Sequence, residues 1–398
     1  MKSYNTLLIL VLSILLFSCK NDDDATIPEI DTSALIDAKA SIASFSKLAT
    51  IDLQTGTTIT TQNDQLIASM VYEDSFIGLF PDRLVRSSET DFTGDLIWEY
   101  SFEILEGFER TFNSETVKIQ GTTLYLTYSK PDELIPIPLN YIEAIDLTNG
   151  TVAWSVPQKS REYKRLNILN NTIITAEGPS NNTSIVSRNI SDGSILNIWN
   201  LGERVSHLIS GTNEMIVMSW SNAVYSIQED LTLNWTFSTT GSNVQKGIIV
   251  SDQFVFHSRD ENIYAVNLQT GDLNWSQAFP DLFIRQFFNN GTSIWSVTED
   301  FNANRFVINE LDASTGTILS NFNTPLPIAA DDIDEIEVLA FSDYLLILMG
   351  RSGESTITEF YNYKTQNKIW QSDLDLSDIF TLRANVHLGT SRYAPTSF

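Results

Sequence analysis

The chain has 398 residues, 42% of them hydrophobic, so it is long enough to bury a large core and is not a disordered protein. Its net charge of −26 repels phosphate backbones and argues against nucleic-acid binding. The single cysteine, Cys19, excludes an intramolecular disulfide and a zinc site built from several cysteines. The three histidines, His207, His257 and His387, are too widely spaced to form a metal-binding motif.

An apolar run of eleven residues, Leu7 to Phe17, follows Lys2 near the start of the chain. A membrane-spanning helix needs about 20 apolar residues, whereas a basic start and a short apolar run are typical of a signal peptide. The run ends in Leu16-Phe17-Ser18-Cys19, which resembles the lipobox of bacterial lipoproteins. We expect residues 1–18 to be a signal peptide and Cys19 to carry the lipid, with an ordinary secretory signal as the alternative.

The residues after Cys19 are mostly acidic: Lys20, Asn21, Asp22, Asp23 and Asp24. They resemble the export signal that sends lipoproteins of the Bacteroidetes to the outer face of the outer membrane. The resemblance implies a lipid-anchored protein at the cell surface, and an anchor that faces the periplasm is the alternative. Residues 19–44 are expected to be an acidic tether, with a weak tendency to form a short helix over residues 33–43.

The remainder, residues 45–398, contains an internal repeat. Residues 265–275 read AVNLQTGDLNW and residues 144–154 read AIDLTNGTVAW, and six weaker copies follow the same pattern. The equivalent glycine positions are 56, 94, 150, 193, 231, 271, 316 and 366, with a mean spacing of about 44 residues. That period fits one four-stranded blade per copy, so the sequence predicts an all-β propeller of eight blades, with seven as the alternative.

Each copy is predicted to be a β-hairpin. Asp or Asn stands four residues before the glycine position in six copies and is expected to accept hydrogen bonds from backbone N–H groups of the turn. Glycine allows positive φ in the turn and is present as Gly56, Gly94, Gly150, Gly193, Gly271 and Gly316. The second strand carries a tryptophan that we expect to pack between neighbouring blades: Trp98, Trp154, Trp199, Trp235, Trp275 and Trp370.

Four positions depart from the pattern. Thr60 and Ser320 stand where tryptophan is expected, and Gln366 replaces glycine. Trp199 comes two residues late, which predicts a bulge or a longer turn in the fourth copy. These departures leave the number of blades open between seven and eight.

The first hairpin lacks a preceding strand partner. Two apolar segments follow Trp370, residues 379–382 and residues 384–388. We expect these C-terminal strands to complete the first blade, which would remove the free sheet edges of an open ring.

The pattern A-x-[DN]-x-x-T-G-x-x-x-W resembles the PQQ-like β-propeller repeat over residues 45 to about 390. A short lipoprotein with about eight such blades resembles the BamB family of outer-membrane barrel-assembly lipoproteins. The resemblance implies a non-enzymatic scaffold that binds an outer-membrane or cell-surface protein. Two insertions, residues 131–138 and residues 325–337, are candidate binding loops.

Two other classes of function stay open. Quinoprotein dehydrogenases share the repeat and hold a quinone with calcium in the central funnel, but no catalytic carboxylate of theirs can be matched here. The EF-hand-like run after Asp300 has Arg305 and Leu311 where glycine and glutamate are required. We therefore expect no cofactor, metal site or catalytic residue. The second alternative is capture of a glycan or small ligand in the funnel, with Trp220 and Trp295 as the candidate aromatic residues.

Overall fold

The computed structural model divides the chain into two compact units, residues 1–36 and residues 37–398. The described residues are 35, 38–43, 47–62, 66, 68–73, 75–88, 94–102, 117–130, 139–158, 165–179, 182–241, 243–279, 282–289, 293–300, 305–327, 335–341, 343–350, 356–374, 383–388 and 391–393. The expected signal peptide, Cys19, the acidic residues 20–24, and the segments 131–138 and 379–382 lie outside them. No helix among the described residues is long and apolar enough to cross a membrane.

Eight antiparallel sheets form the second unit, which confirms the predicted eight-bladed β-propeller. Blade 2 contains β4 (Ala68–Tyr72), β5 (Ser75–Leu79), β6 (Arg83–Ser87) and β7 (Leu96–Ser101). Blade 3 contains β8 (Val117–Gln120), β9 (Thr123–Lys130), β10 (Leu139–Asp146) and β11 (Thr151–Pro157). Blade 4 contains β12 (Arg165–Leu169), β13 (Thr172–Glu177), β14 (Ser184–Asn189) and β15 (Ile195–Asn200).

The later blades repeat this order. Blade 5 contains β16 (Val205–Ser210), β17 (Met215–Ser219), β18 (Ala223–Ile227) and β19 (Leu233–Ser238). Blade 6 contains β20 (Val244–Val250), β21 (Gln253–Ser258), β22 (Asn262–Asn267) and β23 (Leu273–Ala278). Blade 7 contains β24 (Leu282–Asn289), β25 (Ser293–Asp300), β26 (Arg305–Asp312) and β27 (Ile318–Pro327), and blade 8 contains β28 (Glu335–Phe341), β29 (Tyr344–Gly350), β30 (Thr356–Asn362) and β31 (Asn367–Leu374).

Blade 1 is assembled from both ends of the propeller chain. It contains β1 (Lys39–Ala43), β2 (Leu48–Asp52), β3 (Thr58–Gln62), β32 (Arg383–Leu388) and β33 (Ser391–Tyr393), in the order β3-β2-β1-β32-β33. Strand β32 pairs with β1, as expected from the apolar segment 384–388. The blade therefore has five strands instead of the expected four, because the short strand β33 forms a hairpin with β32.

The tether expected over residues 19–44 ends earlier than predicted, because the first strand of the propeller begins at Lys39. Strand β1 pairs with β2 on one side and β32 on the other, so the propeller begins before residue 45 and residues 39–43 are not helical. Ala40 and Ile42 are fully buried in this strand. The alternation of apolar and polar residues over KASIA is a strand pattern, but it is short and made partly of alanines, which also favour helices.

The first strands of successive blades contact one another around the axis, and the last strands are the most exposed. The core consists of apolar clusters between adjacent blades. One of them joins blades 5 and 6 through Ile216, Val224, Trp235, Phe254 and Val266. Because each cluster needs both neighbours, closure of the ring completes the core.

The turns between the third and last strands have the predicted chemistry. The N–H of Thr148 donates to Asp146 at 2.8 Å, and that of Gln269 donates to Asn267 at 2.9 Å. Pairing of the third and last strands shifts near the turn in all eight blades. The late position of Trp199 is thus not caused by a bulge peculiar to the fourth copy, which corrects that expectation.

Candidate functional site

Five of the repeat tryptophans make one recurring contact with the next blade, which we call an indole dock. In the dock between blades 5 and 6, Nε1 of Trp235 donates to the carbonyl oxygen of Leu268 at 2.7 Å. The ring lies on Gly271, where an added Cβ would come within 2.7 Å of the indole. The other four pairs of donor and acceptor residue are Trp98 and Leu147, Trp154 and Ile190, Trp275 and Ala313, and Trp370 and Leu53.

Glycine has two reasons to be in each receiving turn. Gly56, Gly150, Gly193, Gly271 and Gly316 all have φ between +70° and +74°, which side chains disfavour. Their missing Cβ also leaves the space that the ring occupies. The dock of Trp370 on Gly56 joins blade 8 to blade 1, so the same contact closes the ring. Gly94 directly follows residues outside the described part.

Where the tryptophan is missing, the next turn lacks glycine in two of three cases. In blade 4 the equivalent residue is Asn197, because it pairs with Ser187 as Trp154 pairs with Ala144. The receiving position of blade 5 is Leu231, at φ +68°. Trp199 lies two residues further along the strand and packs edge-on against Tyr225, with ring centroids 5.4 Å apart.

The interface between blades 7 and 8 is packed by other side chains than those of an indole dock. Ser320 takes the tryptophan position and donates to Glu310, and Gln366 takes the glycine position at φ +58°. Trp295, one of the two candidate ligand-binding aromatics, is 3% exposed and packs 4.6 Å from Tyr363 between centroids. Trp295 is therefore part of the core at this interface and does not face a ligand site.

A cavity of about 430 Å³ remains between blades 4 and 5. It lies between the last strand of blade 4 and the turn of blade 5. Glu229 from that turn accepts hydrogen bonds from the Thr172 hydroxyl and, at 3.3 Å, from Nδ2 of Asn170. The residues that line this cavity are Thr172, Leu196, Asn197, Gln228, Glu229 and Asp230.

A second cavity, of about 710 Å³, opens at the ends of the first strands of blades 3–7. Amide and hydroxyl groups line it, together with isoleucine side chains and one cation, Lys118. Burial lowers the pKa of the Lys118 ammonium below its usual value. The polar lining residues are Gln120, Asn167, Asn170, Ser210 and Asn289.

Further positive charges lie on or next to the first strands of blades 4–6, although the whole chain is strongly acidic. Burial, and then the charges of Arg165 and Lys246, lower the pKa of His207 to about 3. Burial, and then the charge of Arg204, lower the pKa of Arg165 to about 10. This part of the central channel therefore has a local cationic character that composition could not reveal, because it depends on the packing of successive blades against one another.

Trp220, the other candidate aromatic, is at the surface. Its side chain is 39% exposed, and the guanidinium carbon of Arg204 lies 4.0 Å from the ring centroid. His257 is 3% exposed, and burial lowers its pKa to about 4, so it is a core residue of blade 6. In the described residues no three His, Cys, Asp or Glu side chains are grouped to hold a metal.

Several buried carboxylates are engaged within single blades. Glu177 pairs with Arg188 at 3.0 Å, with both side chains at most 2% exposed. Glu359 accepts from Lys368 and from the hydroxyl of Tyr361. These groups satisfy one another inside the sheets and do not face either cavity.

The exposed apolar side chains are concentrated on the outer surface of the ring. Twelve large hydrophobic residues in the described part are exposed, and eleven of these lie on the last strand of a blade. Trp220 is the twelfth. The eleven are Ile59, Leu96, Ile97, Val152, Ile195, Leu196, Ile198, Leu233, Leu273, Ile318 and Leu319.

The chain matches no protein-family model and no curated protein sequence. Solved structures resemble its fold: BamB from Moraxella catarrhalis is 12% identical, with a TM-score of 0.51 over 77% of this chain and 92% of that one. Apo AztD from Citrobacter koseri is 9% identical, with a TM-score of 0.59 over 90% and 99%. A europium-containing methanol dehydrogenase is 9% identical, with a TM-score of 0.51 over 81% of each chain. These likenesses support the β-propeller fold.

Proposed function

We propose that this chain is a non-enzymatic, lipid-anchored protein of the outer membrane whose propeller binds a protein partner. The observation that carries the proposal is the concentration of exposed apolar residues on the last strands of the blades. Such a strand has an unpaired edge, and its backbone groups can pair with a strand of another chain. Exposed apolar patches on a folded protein are typical of interaction surfaces.

Blade 4 offers the most continuous surface of this kind. Every residue of β15 except Trp199 is exposed, including Ile195, Leu196 and Ile198. A partner that covers this strand would bury apolar side chains and satisfy backbone hydrogen bonds at once. The fold of BamB, which resembles this chain, and the repeat pattern support a scaffold role.

The membrane part of the proposal depends on Cys19 and on the acidic residues that follow it. Acyl chains on Cys19 would hold the propeller at the outer membrane, since each buried CH₂ contributes about 0.8 kcal/mol. The acidic residues favour the cell surface over the periplasmic face. Replacement of Cys19 by serine should release the protein from the membrane fraction, and protease treatment of intact cells should remove the wild-type protein.

Site-specific photo-crosslinking in the native cell tests the scaffold role. Crosslinkers at Leu196 and Leu319, which are 50% and 56% exposed, should each give a discrete protein adduct. Crosslinkers at Thr122 and Thr240, which are exposed in turns, are the matched controls and should not give it. Absence of an adduct at both outer-strand positions would contradict the proposal.

A second candidate function is capture of a small anionic ligand in the central channel. The cavity of about 710 Å³ that contains Lys118 supports it, because a partly desolvated ammonium among amide groups suits a carboxylate. Glucuronate, with neutral glucose as the control, should then raise the melting temperature of the wild type but not of Lys118→Met. Titration with quinone and calcium in the same assay tests the enzyme alternative.

A further inference from the structure

The cavity of about 710 Å³ in the central channel, which we call the channel cavity, is lined by the first strands of blades 3–7. Neighbouring blades contact one another through these strands, so the wall is continuous from β8 to β24. The volume lies within the range of about 300–1,000 Å³ that is typical of small-molecule sites. The class of ligand that fits depends on which groups of this wall are free to bind it.

The amide side chains of the wall are engaged with the protein itself. Nδ2 of Asn167 donates to the carbonyl oxygen of Leu208 at 2.8 Å, and its oxygen accepts from the N–H of Ile168 at 2.8 Å. Nε2 of Gln120 donates to the carbonyl oxygen of Asn170 at 2.7 Å. These bonds link neighbouring blades, so the amides leave few donors and acceptors for a ligand that is rich in hydroxyl groups.

The ammonium group of Lys118 differs from these amides because it has no partner. No described residue forms a hydrogen bond or an ion pair with it. Its lowered pKa is caused by burial, with no contribution from a neighbouring charge. Charged groups that are removed from water are normally paired, and this chain has 50 acidic residues for 24 basic ones. An anion bound in the channel cavity would supply the counter-charge that the protein does not provide.

The wall matches a ligand with one negative charge. Among the described residues that line the channel cavity, Lys118 is the one cation. A second negative charge on the ligand would stay unpaired inside a chain whose net charge is −26. The cavity therefore favours a monoanion over a dicarboxylate or a phosphate.

Isoleucine side chains provide the apolar part of the wall. Four of them, one from each of blades 3–6, line the channel cavity and are only partly buried: Ile119, Ile168, Ile209 and Ile249. A ligand that covers these side chains removes apolar surface from water. With its anionic group at Lys118 in blade 3, an aliphatic chain would extend along the isoleucines towards blade 6.

We propose that the channel cavity binds an aliphatic monocarboxylate, with the carboxylate at Lys118 and the alkyl chain against the isoleucines of blades 3–6. This inference deepens the second candidate function, capture of a small anion in the central channel, and rests on it. It does not depend on the scaffold role, which concerns the last strands of the blades.

The test is isothermal titration calorimetry of the full-length chain with hexanoate, octanoate and decanoate. The dissociation constant should fall about two- to fourfold for each added CH₂, because each methylene group is buried against the isoleucines. Octanoate should bind at least tenfold more tightly than glucuronate, which has the charge but a hydroxyl-rich body. It should also bind at least tenfold more tightly than 1-octanol, which has the chain but no charge.

Two variants with the same change in net charge test the position of the carboxylate. Lys118→Met keeps an unbranched side chain but removes the charge, so it should weaken octanoate binding at least tenfold and leave 1-octanol binding unchanged. Lys246→Met is the matched control, because Lys246 is on the first strand of blade 6 but does not line the channel cavity. It should bind octanoate as the wild type does. Far-UV circular dichroism verifies the fold of both variants.

The contrary outcomes separate this inference from the functions on which it bears. Equal affinities for octanoate and glucuronate, or no dependence on chain length, would overturn the aliphatic ligand and leave anion capture in the channel standing. An unchanged affinity in Lys118→Met, or an equal loss in Lys246→Met, would overturn the placement of the carboxylate and with it the proposal. No binding of octanoate or glucuronate would overturn both the proposal and the channel function, while the crosslinking at Leu196 and Leu319 would still decide the scaffold role.

Discussion

The interface between blades 5 and 6 and the interface between blades 4 and 5 are built from the same two elements, a last strand and the turn of the next blade, but the turn of blade 5 is one residue shorter than that of blade 6. In the first, Trp235 lies on Gly271 and donates to Leu268, and the space between the blades is filled. In the second, Asn197 faces a turn with Leu231, and a cavity remains. The difference shows that indole and glycine form one unit: the ring requires the missing Cβ, and loss of the ring removes that requirement.

The largest expected effect comes from removing a docked ring. Trp235→Ala should lower the free energy of unfolding by about 3–5 kcal/mol, because a buried indole is lost and the carbonyl group of Leu268 loses its donor. Chemical denaturation measures the change. Trp220→Ala is the control and should cost less than about 1 kcal/mol, since that ring is at the surface. An equal loss of unfolding free energy in Trp235→Ala and Trp220→Ala would contradict the claim that the indole dock stabilises the propeller.

A methyl group added to the receiving glycine should give the next largest effect. Gly271→Ala combines a left-handed backbone at φ +74° with a Cβ within 2.7 Å of the Trp235 ring, so it should cost about 2–4 kcal/mol. Gly121 has φ +58° with no heavy atom within 4 Å of an added Cβ. Gly121→Ala should therefore cost only the backbone strain, about 1–2 kcal/mol. If both glycines gave the same cost, close packing of the ring would not be the reason for glycine.

Part of the fold could be predicted from the sequence repeat alone. The period and the turn residues could be predicted because each depends on local chemistry. The C-terminal strand of blade 1 could be predicted because the first hairpin lacks a preceding strand partner. Residue type alone places Trp199 at the tryptophan position, whereas the four-residue spacing from Gly193 indicates Asn197, which the strand pairing confirms.

The central channel was not predicted. Lys118, Arg165 and Lys246 are single basic residues in separate strands, and the packing of successive blades places them near one another. The cavity between blades 4 and 5 depends likewise on how an absent ring is compensated by its neighbours. No local pattern carries that information, because the space is bounded by residues from two copies of the repeat.

A turn without a docked ring should gain from glycine. Gln366 is exposed, with φ +58°, and no tryptophan precedes it in blade 7. Gln366→Gly should raise the free energy of unfolding by about 1 kcal/mol, since relief of the left-handed strain exceeds the entropy cost of glycine. Gln366→Ala keeps the strain and should have little effect in the same denaturation experiment. A loss of stability in the glycine variant would contradict the claim that the left-handed backbone at Gln366 destabilises the turn even where no ring packs on it.

The smallest expected effect concerns the acids that hold the receiving turns. Hydrogen bonds from the hydroxyl and N–H of Thr148 lower the pKa of Asp146 below 3.8. The ionised carboxylate therefore stabilises the folded chain above that pH, and its contribution is lost as the pH falls through the folded-state pKa. Asn267 makes the equivalent contact in blade 6 without a titrating group. Asp146→Asn should make unfolding less sensitive to pH between 5 and 3, and an unchanged pH profile would contradict this.

The most direct test of the account is a double-mutant cycle with Asn197→Trp and Leu231→Gly. Asn197→Trp alone meets the side chain of Leu231, and Leu231→Gly alone removes a residue that is 8% exposed. Together they supply both parts of an indole dock, so chemical denaturation should show the double variant more stable than the sum of the single effects by at least about 1 kcal/mol. Additive effects would contradict the claim that the indole and the receiving glycine form one unit.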